Sequence, residues 1–164
     1  MTGHVLVAGG AGYVGAHACK VLRAAGFVPV VFDNLSTGWR DAVRFGPLVE
    51  ADLLDPAALA AAFARYRPVA VMHFAALSLV GESMSDPGRY WRENLTGALN
   101  LIEAAVAAGC LNFVFSSTCA TYGDPDGVLL DEDTPQLPIN SYGASKRAIE
   151  DMLRNFSASH GLNH

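Results

Sequence analysis

The sequence predicts a doubly wound α/β fold, in which helices cover both faces of a parallel sheet. Short β-branched segments alternate with longer segments of helical periodicity, a pattern typical of consecutive βαβ units. The β-branched segments are apolar almost throughout, which indicates parallel strands that are buried on both faces. The first of them continues directly into a glycine-rich turn and a helix, which favours a ligand site at that turn.

The individual elements follow in order along the chain. Five short apolar segments are predicted as strands: His4–Ala8, Val28–Phe32, Leu48–Ala51, Val69–His73 and Asn112–Ser116. Four longer segments are predicted as helices: Gly12–Ala25, Pro56–Tyr66, Pro87–Ala108 and Ser141–Ser159. Two glycines stand where helix C-caps belong, Gly26 and Gly109. Polar residues and prolines predict surface loops over Asn34–Asp41, Ser78–Asp86 and Gly123–Asn140.

The composition excludes several classes of protein. The chain is 51% hydrophobic and only 16% charged, with a net charge of −5, so it is too apolar to be disordered. It has no basic cluster for nucleic acid and no apolar run of the ~20 residues that a membrane span needs. Its three cysteines, Cys19, Cys110 and Cys119, are far apart and odd in number, which predicts reduced thiols. We therefore expect a single soluble, cytoplasmic domain.

The glycine-rich turn has the spacing of a dinucleotide-binding loop. Gly9, Gly12 and Gly15 allow a tight turn, close approach of the backbone to a pyrophosphate, and packing of the helix against the strand. Asp33 ends the second strand, where a carboxylate accepts hydrogen bonds from ribose hydroxyls and repels a 2′-phosphate. The pattern predicts a Rossmann-type fold that binds NAD rather than NADP.

A second pattern points to acid–base chemistry. Tyr142 and Lys146 are four residues apart at the start of the last helix, so they share one helix face. An ammonium beside a phenol stabilises the phenolate and so favours proton transfer. Thr118 follows the fifth strand, at the sheet edge where such folds place their ligand. His73 ends an apolar strand and is expected in the core, and the five histidines lack metal-ligand spacing, so we expect no metal.

Seven segments of the chain resemble the UDP-glucose 4-epimerases, which belong to the extended short-chain dehydrogenase/reductases. The resemblance covers the whole chain, in order and with matching spacing. The segments that carry it are Gly9–Gly15, Asp33–Gly38, Ala51–Leu53, His73–Ala76, Val80–Ser83, Phe115–Gly123 and Tyr142–Lys146. It implies an NAD-dependent enzyme that inverts a UDP-sugar at C4 by transient oxidation.

The resemblance also implies which residues contact the cofactor. Tyr13 and Val14 would lie at the pyrophosphate, beside the three glycines of the turn. The residues around the adenosine ribose would be Asp33, Asn34, Leu35, Ser36, Thr37 and Gly38, and those at the adenine would be Asp52 and Leu53. The residues along the central and nicotinamide parts would be Phe74, Ala75, Ala76, Leu77, Ser78 and Asn94.

By the same resemblance, Thr118, Tyr142 and Lys146 would carry the chemistry. Tyr142 would take the proton of the sugar 4-hydroxyl with the help of Thr118, while hydride passes from C4 to tightly held NAD. The 4-keto sugar would then turn over and take the hydride back on its other face. Tyr142 and Lys146 would also contact the cofactor, and Thr118 and Tyr142 would contact the substrate.

Two positions depart from the pattern of the family, and a second resemblance leaves the substrate open. Ser78 stands where many members have lysine, and Thr118 stands where serine is frequent, although threonine keeps the hydroxyl. The segments 117–123 and 135–140 also resemble the UDP-xylose/UDP-arabinose 4-epimerases. A 4,6-dehydratase is disfavoured because Cys119 and Ala120 replace the usual Asp-Glu pair. A net oxidoreductase that acts on a related nucleotide sugar and a non-catalytic NAD-binding module are the remaining alternatives.

Members of this family are longer than this chain, and their uridine-diphosphate contacts lie mostly downstream. The resemblance therefore implies that residues 1–164 are the NAD-binding Rossmann domain, truncated before the substrate domain, and that this length alone is not a competent epimerase. It also implies a homodimer through the helices Pro87–Ala108 and Ser141–Ser159. An apolar stripe on the second helix would face the partner, formed by Ile149, Met152, Leu153 and Phe156.

Overall fold

Five parallel strands form one sheet in the computed structural model, which describes residues 3–125, 127 and 129–164. The strands are β1 (His4–Ala8), β2 (Val28–Asp33), β3 (Leu48–Glu50), β4 (Ala70–His73) and β5 (Phe113–Phe115). Their spatial order is β3-β2-β1-β4-β5, and every neighbouring pair is parallel. The chain thus starts at the centre of the sheet and is wound outward in both directions, which confirms the predicted fold class.

Helices connect the strands and cover both faces of the sheet. They are α1 (Tyr13–Ala24), α2 (Pro56–Tyr66), α3 (Val80–Ser85), α4 (Pro87–Tyr90), α5 (Gly97–Ala107) and α6 (Ser141–His160). Residues Trp91–Thr96 form a π-helical segment that joins α4 to α5, and short 3-10 turns span Arg40–Ala42 and Cys119–Thr121. Gly26 and Gly109 have left-handed φ angles of 88° and 69° directly after α1 and α5, as expected of residues that end helices.

The predicted loop over Ser78–Asp86 is wrong, because it contains α3. Its polar composition conceals the helix, which is held by one contact with a distant residue and by one within its own first turn. The Leu79 N–H, just before the helix, donates to the Tyr90 hydroxyl over 3.0 Å, and the Ser83 hydroxyl donates to the Val80 carbonyl over 2.7 Å. The third predicted loop, over 123–140, contains no helix or strand in its described residues, and residues 126 and 128 lie outside the described part.

The core consists of two apolar clusters, one on each face of the sheet. Leu6 and Ala8 of β1 belong to the larger cluster, whereas Val5 and Val7 of the same strand belong to the smaller one. The alternation follows from the two-residue repeat of a strand. Because both sets are buried, the central strand is covered on both faces, as its apolar sequence predicts.

The apolar stripe of α6 faces the chain's own core. Ile149 and Leu153 are buried in the larger cluster, and Met152 and Phe156 pack against it. The expectation that this stripe faces a partner subunit is therefore wrong, because its apolar surface is already used within the chain. The homodimer itself stays a prediction of the resemblance.

The Asn163 backbone pairs with the chain beside the start of β5, at the edge of the sheet. The Phe113 N–H donates to the Asn163 carbonyl over 2.8 Å, and the Asn163 N–H donates to the Leu111 carbonyl over 2.7 Å. Among the described residues, no helix is both long enough and apolar enough to cross a membrane.

Two Gly→Ala substitutions test how tightly the β1–α1 turn is packed. A Cβ at Gly15 would lie 2.1 Å from the Gly9 carbonyl oxygen, whereas a Cβ at Gly81 in α3 would meet nothing within 4 Å. We expect Gly15→Ala to lower the free energy of unfolding by about 2 kcal/mol or more through overpacking. Gly81→Ala should raise it by about 0.5 kcal/mol, because alanine is the better helix former. Denaturant unfolding measures both, and a stable Gly15→Ala variant would contradict the packing.

Candidate active site

A cleft opens at the carboxyl edge of β1, β2 and β4, where the strand order reverses. It is lined by the glycine-rich turn, by residues that follow β2 and β3, and by the segment after β4. Open parallel sheets bind their ligands at this place because the loops on either side of the reversal diverge. Of the residues predicted to contact the cofactor, all except Leu35, Tyr142 and Lys146 line this cleft.

The first turn of α1 points into the cleft with its backbone free of a side-chain cap. Gly12 is the N-cap residue and has no side-chain acceptor for the first N–H groups of the helix. A Cβ at Gly12 would lie a tight 3.3 Å from the Gly9 carbonyl oxygen, although it would meet no other part of the protein within 4 Å. An uncapped helix N-terminus beside open space suits an anion such as a pyrophosphate. The exposed Tyr13 and Val14 side chains flank it.

Asp33 joins the end of β2 to the glycine-rich turn. One carboxylate oxygen accepts the Ala11 N–H over 2.9 Å, and the other accepts the Leu35 N–H over the same distance. The carboxylate lines the cleft although the residue is only 8% exposed. Each oxygen keeps a lone pair, so the group can also accept a hydrogen bond from a ligand hydroxyl.

The wall beyond Asp33 is held by a second polar contact. The Asn34 side-chain amide donates to the Asp52 carboxylate over 2.8 Å, and the other Asp52 oxygen accepts the Leu54 N–H. Phe32 and Ala51 also line this part of the cleft, although neither was predicted from the sequence to contact the cofactor. Leu35 turns away from the cleft with a φ of 58° and packs against the smaller core cluster.

Asn94 fixes the opposite wall. It is buried within the π-helical segment, where its carbonyl oxygen accepts the Leu77 N–H over 2.8 Å. Its NH₂ group donates to the Leu77 carbonyl over 3.0 Å and to the Ser145 hydroxyl of α6 over 3.2 Å. Both amide hydrogens are therefore used inside the protein. Glu93 lines the cleft beside it and was not predicted from the sequence.

The start of α6 is packed closely against the turn that contains Thr118. Asn140 caps the helix by accepting the Gly143 N–H over 2.8 Å. A Cβ at Gly143 would lie 2.3 Å from the Ala120 carbonyl oxygen, so only glycine permits this approach. The Thr118 hydroxyl accepts the Ala120 N–H over 3.2 Å. The packing brings the two elements that carry Thr118 and Tyr142 together at the carboxyl edge of the sheet.

Lys146 is buried between α6 and β5 rather than in the cleft. Its ammonium donates to the Ser116 carbonyl over 2.7 Å and lies 4.5 Å from the centre of the Phe115 ring. The residue is 3% exposed, and burial lowers the pKa of its amine from 10.5 to about 8, although the Glu150 carboxylate acts in the opposite direction. The cation is thus fixed one helical turn after Tyr142.

His73 is buried at the end of β4, as expected for a core histidine. Neither ring nitrogen has a hydrogen-bond partner among the described residues, and the ring packs against Phe113 and Phe115. Burial lowers the pKa of the imidazole from 6.5 to about 3, and the charge of Lys146 acts in the same direction. The ring is therefore neutral at physiological pH.

This arrangement can support chemistry on a bound dinucleotide and a hydroxyl-bearing ligand. The cleft offers a helix N-terminus for an anion, a carboxylate for hydroxyl groups, and the apolar residues Phe74–Leu77 along the segment after β4. Beyond the cleft, α6 carries the Tyr142 phenol and the buried ammonium of Lys146, and the start of this helix packs on the turn that contains Thr118. A phenol and a hydroxyl near a fixed cation are groups that can move a proton.

Comparison with known proteins gives one family. Residues 5–164 match the NAD dependent epimerase/dehydratase family. The UDP-glucose 4-epimerase of Rhizobium leguminosarum bv. trifolii is 52% identical over 152 residues, which cover 93% of this chain and 46% of that protein. A probable UDP-arabinose 4-epimerase of Oryza sativa subsp. japonica is 43% identical, over 95% of this chain and 39% of the other.

A solved structure agrees with the fold. The crystal structure of UDP-glucose 4-epimerase from Brucella ovis in complex with NAD superimposes with a TM-score of 0.95 at 47% identity. The match covers 98% of this chain and 50% of that one. This chain therefore spans about half the length of the relatives that it matches.

The buried imidazole predicts a pH-dependent stability. Because the pKa of His73 is lower in the folded state, the unfolded chain binds a proton first, and stability decreases as the pH falls below about 6.5. We expect this group to remove about 2 kcal/mol from the free energy of unfolding between pH 7 and pH 5. His73→Leu should abolish that part of the decrease. His164→Leu, at an exposed position, is the control. Denaturant unfolding at several pH values measures the effect, and an equal dependence of the free energy of unfolding on pH in both variants would contradict the prediction.

Proposed function

Because the chain belongs to the NAD dependent epimerase/dehydratase family, we propose that it forms the NAD-binding part of a nucleotide-sugar 4-epimerase that acts on UDP-glucose and UDP-galactose. The observation that supports the proposal is the close packing of Gly143, the residue after Tyr142, on the Ala120 carbonyl, two residues after Thr118. Relatives named UDP-glucose 4-epimerase support the choice of sugar.

The cleft suits NAD in three respects. The pyrophosphate would bind the uncapped N–H groups of α1, in the space left by Gly12. The adenosine ribose would donate hydrogen bonds to Asp33, whose carboxylate is already oriented by Ala11 and Leu35. The nicotinamide would lie toward the segment after β4, which Asn94 holds in place. Residues 1–164 would thus supply the cofactor half of the enzyme.

When held by Asp33 and the N-terminus of α1, NAD would supply reversible hydride chemistry at C4 of the sugar. The Tyr142 phenol would take the proton of the 4-hydroxyl and later give it back, and the Thr118 hydroxyl would share a hydrogen bond with the same oxygen. The Lys146 ammonium, fixed by the Ser116 carbonyl, would stabilise the phenolate from one helical turn away. Proton transfer is the part of the reaction that these side chains contribute.

A second substrate class has support of its own. A relative that is 43% identical is named a probable UDP-arabinose 4-epimerase, and segments 117–123 and 135–140 resemble that group. A pentopyranose differs from the corresponding hexopyranose only in lacking the hydroxymethyl group on C5, and it keeps the C4 hydroxyl that Tyr142 and Thr118 would contact. UDP-arabinose therefore belongs in every activity assay beside UDP-galactose.

The carboxylate of Asp33 should set the preference between the two dinucleotides. It lies buried at the end of β2, where a 2′-phosphate would be repelled. In calorimetric titrations we expect NADP to bind at least about tenfold more weakly than NAD, since like charges in a desolvated site cost more than about 1.4 kcal/mol. Asp33→Asn should reduce the difference between the affinities for NAD and NADP, whereas Asp124→Asn in the exposed loop should leave that difference unchanged. Equal affinities of the unsubstituted chain would refute the assignment.

The Tyr142 phenol should be needed for turnover but not for binding NAD. In a chain of the relatives' full length, we expect Tyr142→Phe to lower kcat at least about a hundredfold, because general acid–base catalysis contributes that much. Removing one oxygen takes away little contact area, so the affinity for NAD should change little. Conversion of UDP-galactose to UDP-glucose measures the rate. Tyr66→Phe, on α2 and remote from the cleft, is the matched control, and a near wild-type rate for Tyr142→Phe would end this assignment.

A further inference from the structure

Tyr90, the last residue of α4, is fully buried. It binds the backbone of Leu79, which directly follows the cleft-lining residue Ser78. Its hydroxyl accepts the Leu79 N–H over 3.0 Å and lies 2.8 Å from the Leu79 carbonyl oxygen. This tyrosine belongs to none of the sequence motifs that predict the site. A buried phenol that binds both polar groups of one distant peptide residue fixes that residue's position.

The segment Leu77–Leu79, which we call the cleft segment, is held at both ends. Asn94 binds the N–H and the carbonyl of Leu77, and Tyr90 binds the same two groups of Leu79. Leu77 and Ser78 line the cleft between these anchors. Because Tyr90 and Asn94 are four residues apart in one continuous helical stretch, a single rigid element sets the path of the cleft segment.

The same element also contacts the start of α6. The ring of Tyr90 meets the ring of Tyr142 edge to face, with 6.5 Å between ring centres and an interplanar angle of 79°. The Asn94 amide donates to Ser145, three residues further along α6. Tyr90 therefore lies between the cleft segment and the phenol to which the proposed function gives the proton transfer.

A charged pair behind Tyr90 keeps its hydroxyl in place. One Glu82 oxygen lies 2.9 Å from the Tyr90 hydroxyl, and the other accepts the Arg89 guanidinium over 2.5 Å. The Tyr90 hydroxyl has one proton, which it donates either to Glu82 or to the Leu79 carbonyl, and both acceptors lie within hydrogen-bond distance of its oxygen. Burial and the hydrogen bond with Glu82 raise the pKa of Tyr90, so the phenol stays protonated.

We propose that Tyr90 is a positioning residue, which holds the cleft segment and the Tyr142 ring in one arrangement so that NAD meets a preorganised wall beside the phenol. The proposal rests on the proposed function. Tyr90 itself touches neither cofactor nor substrate in this scheme. It acts through Leu79 and through Tyr142, the two groups that its hydroxyl and its ring contact.

The test separates the hydroxyl from the ring. Tyr90→Phe keeps the aromatic contact with Tyr142 and removes the anchor of Leu79. In the ligand-free chain we expect amide hydrogen exchange at Leu79, followed by NMR, to become at least about tenfold faster, because a protecting bond is lost. Exchange at Leu6 in β1 should not change, which shows that global stability is preserved. Tyr66→Phe is the matched control.

The second readout is the affinity for NAD. If the wall is ordered for a smaller fraction of the time, the apparent affinity decreases by that fraction, and we expect Tyr90→Phe to bind NAD about three- to tenfold more weakly. Glu82→Gln leaves the Tyr90–Leu79 contact in place and should cause a smaller change in both readouts.

Faster exchange at Leu79 together with weaker NAD binding supports the positioning role. Unchanged exchange at Leu79 overturns it, and so does faster exchange with an unchanged affinity for NAD, since the anchor would then be structural only. A uniform increase in exchange that includes Leu6 also overturns it, because it indicates general destabilisation. Failure of the unsubstituted chain to bind NAD counts against the proposed function instead, while exchange in the ligand-free chain still decides whether Tyr90 anchors Leu79.

Discussion

The whole site depends on the close approach of three backbone segments at the carboxyl end of β1. The Gly9 N–H donates to the Phe32 carbonyl of β2, and the Ala8 carbonyl accepts the N–H groups of Phe74 and Ala75 after β4. A Cβ at Gly9 would lie 2.5 Å from the Ala75 nitrogen, so no side chain fits between the turn and this neighbour. Because the turn must pass here to start α1, the helix N-terminus, the end of β2 and the wall after β4 all meet around one cleft.

Polar side chains then convert this meeting point into fixed walls. Asp33 ties the turn to β2, Asn34 binds Asp52, and Asn94 binds Leu77. Asp33 and Asn94 satisfy backbone N–H groups that the regular sheet and helices leave unpaired, and such groups are costly to leave unpaired when buried. The contact between Asn34 and Asp52 is instead an exposed one between two side chains. These contacts fix the walls of the cleft between the first turn of α1, the end of β2 and the π-helical segment, which allows a ligand to bind with little ordering of the chain.

The sequence predicts the parts that depend on local patterns and misses those that depend on distant partners. Strand alternation and the Gly9–Gly15 spacing predict the sheet and the turn, because both are properties of neighbouring residues. The helix α3 and the anchoring role of Tyr90 depend on the Leu79–Tyr90 contact across eleven positions, for which no local pattern exists. Leu35 shows the same limit, since its neighbours line the cleft while its own left-handed φ turns it into the core.

Lys146 illustrates how one residue can belong to both the fold and the site. The four-residue spacing from Tyr142 places it on the correct helix face, but the structure directs its ammonium to the Ser116 carbonyl and the Phe115 ring. The neutral ring of His73, at the end of β4, packs on Phe115 of β5, and the Ser116 N–H donates to the His73 carbonyl. The charge of Lys146 also lowers the pKa of His73, so the imidazole stays neutral and does not oppose the buried ammonium. The end of β5 thus holds the positive charge in a fixed position one helical turn from the phenol that it would serve.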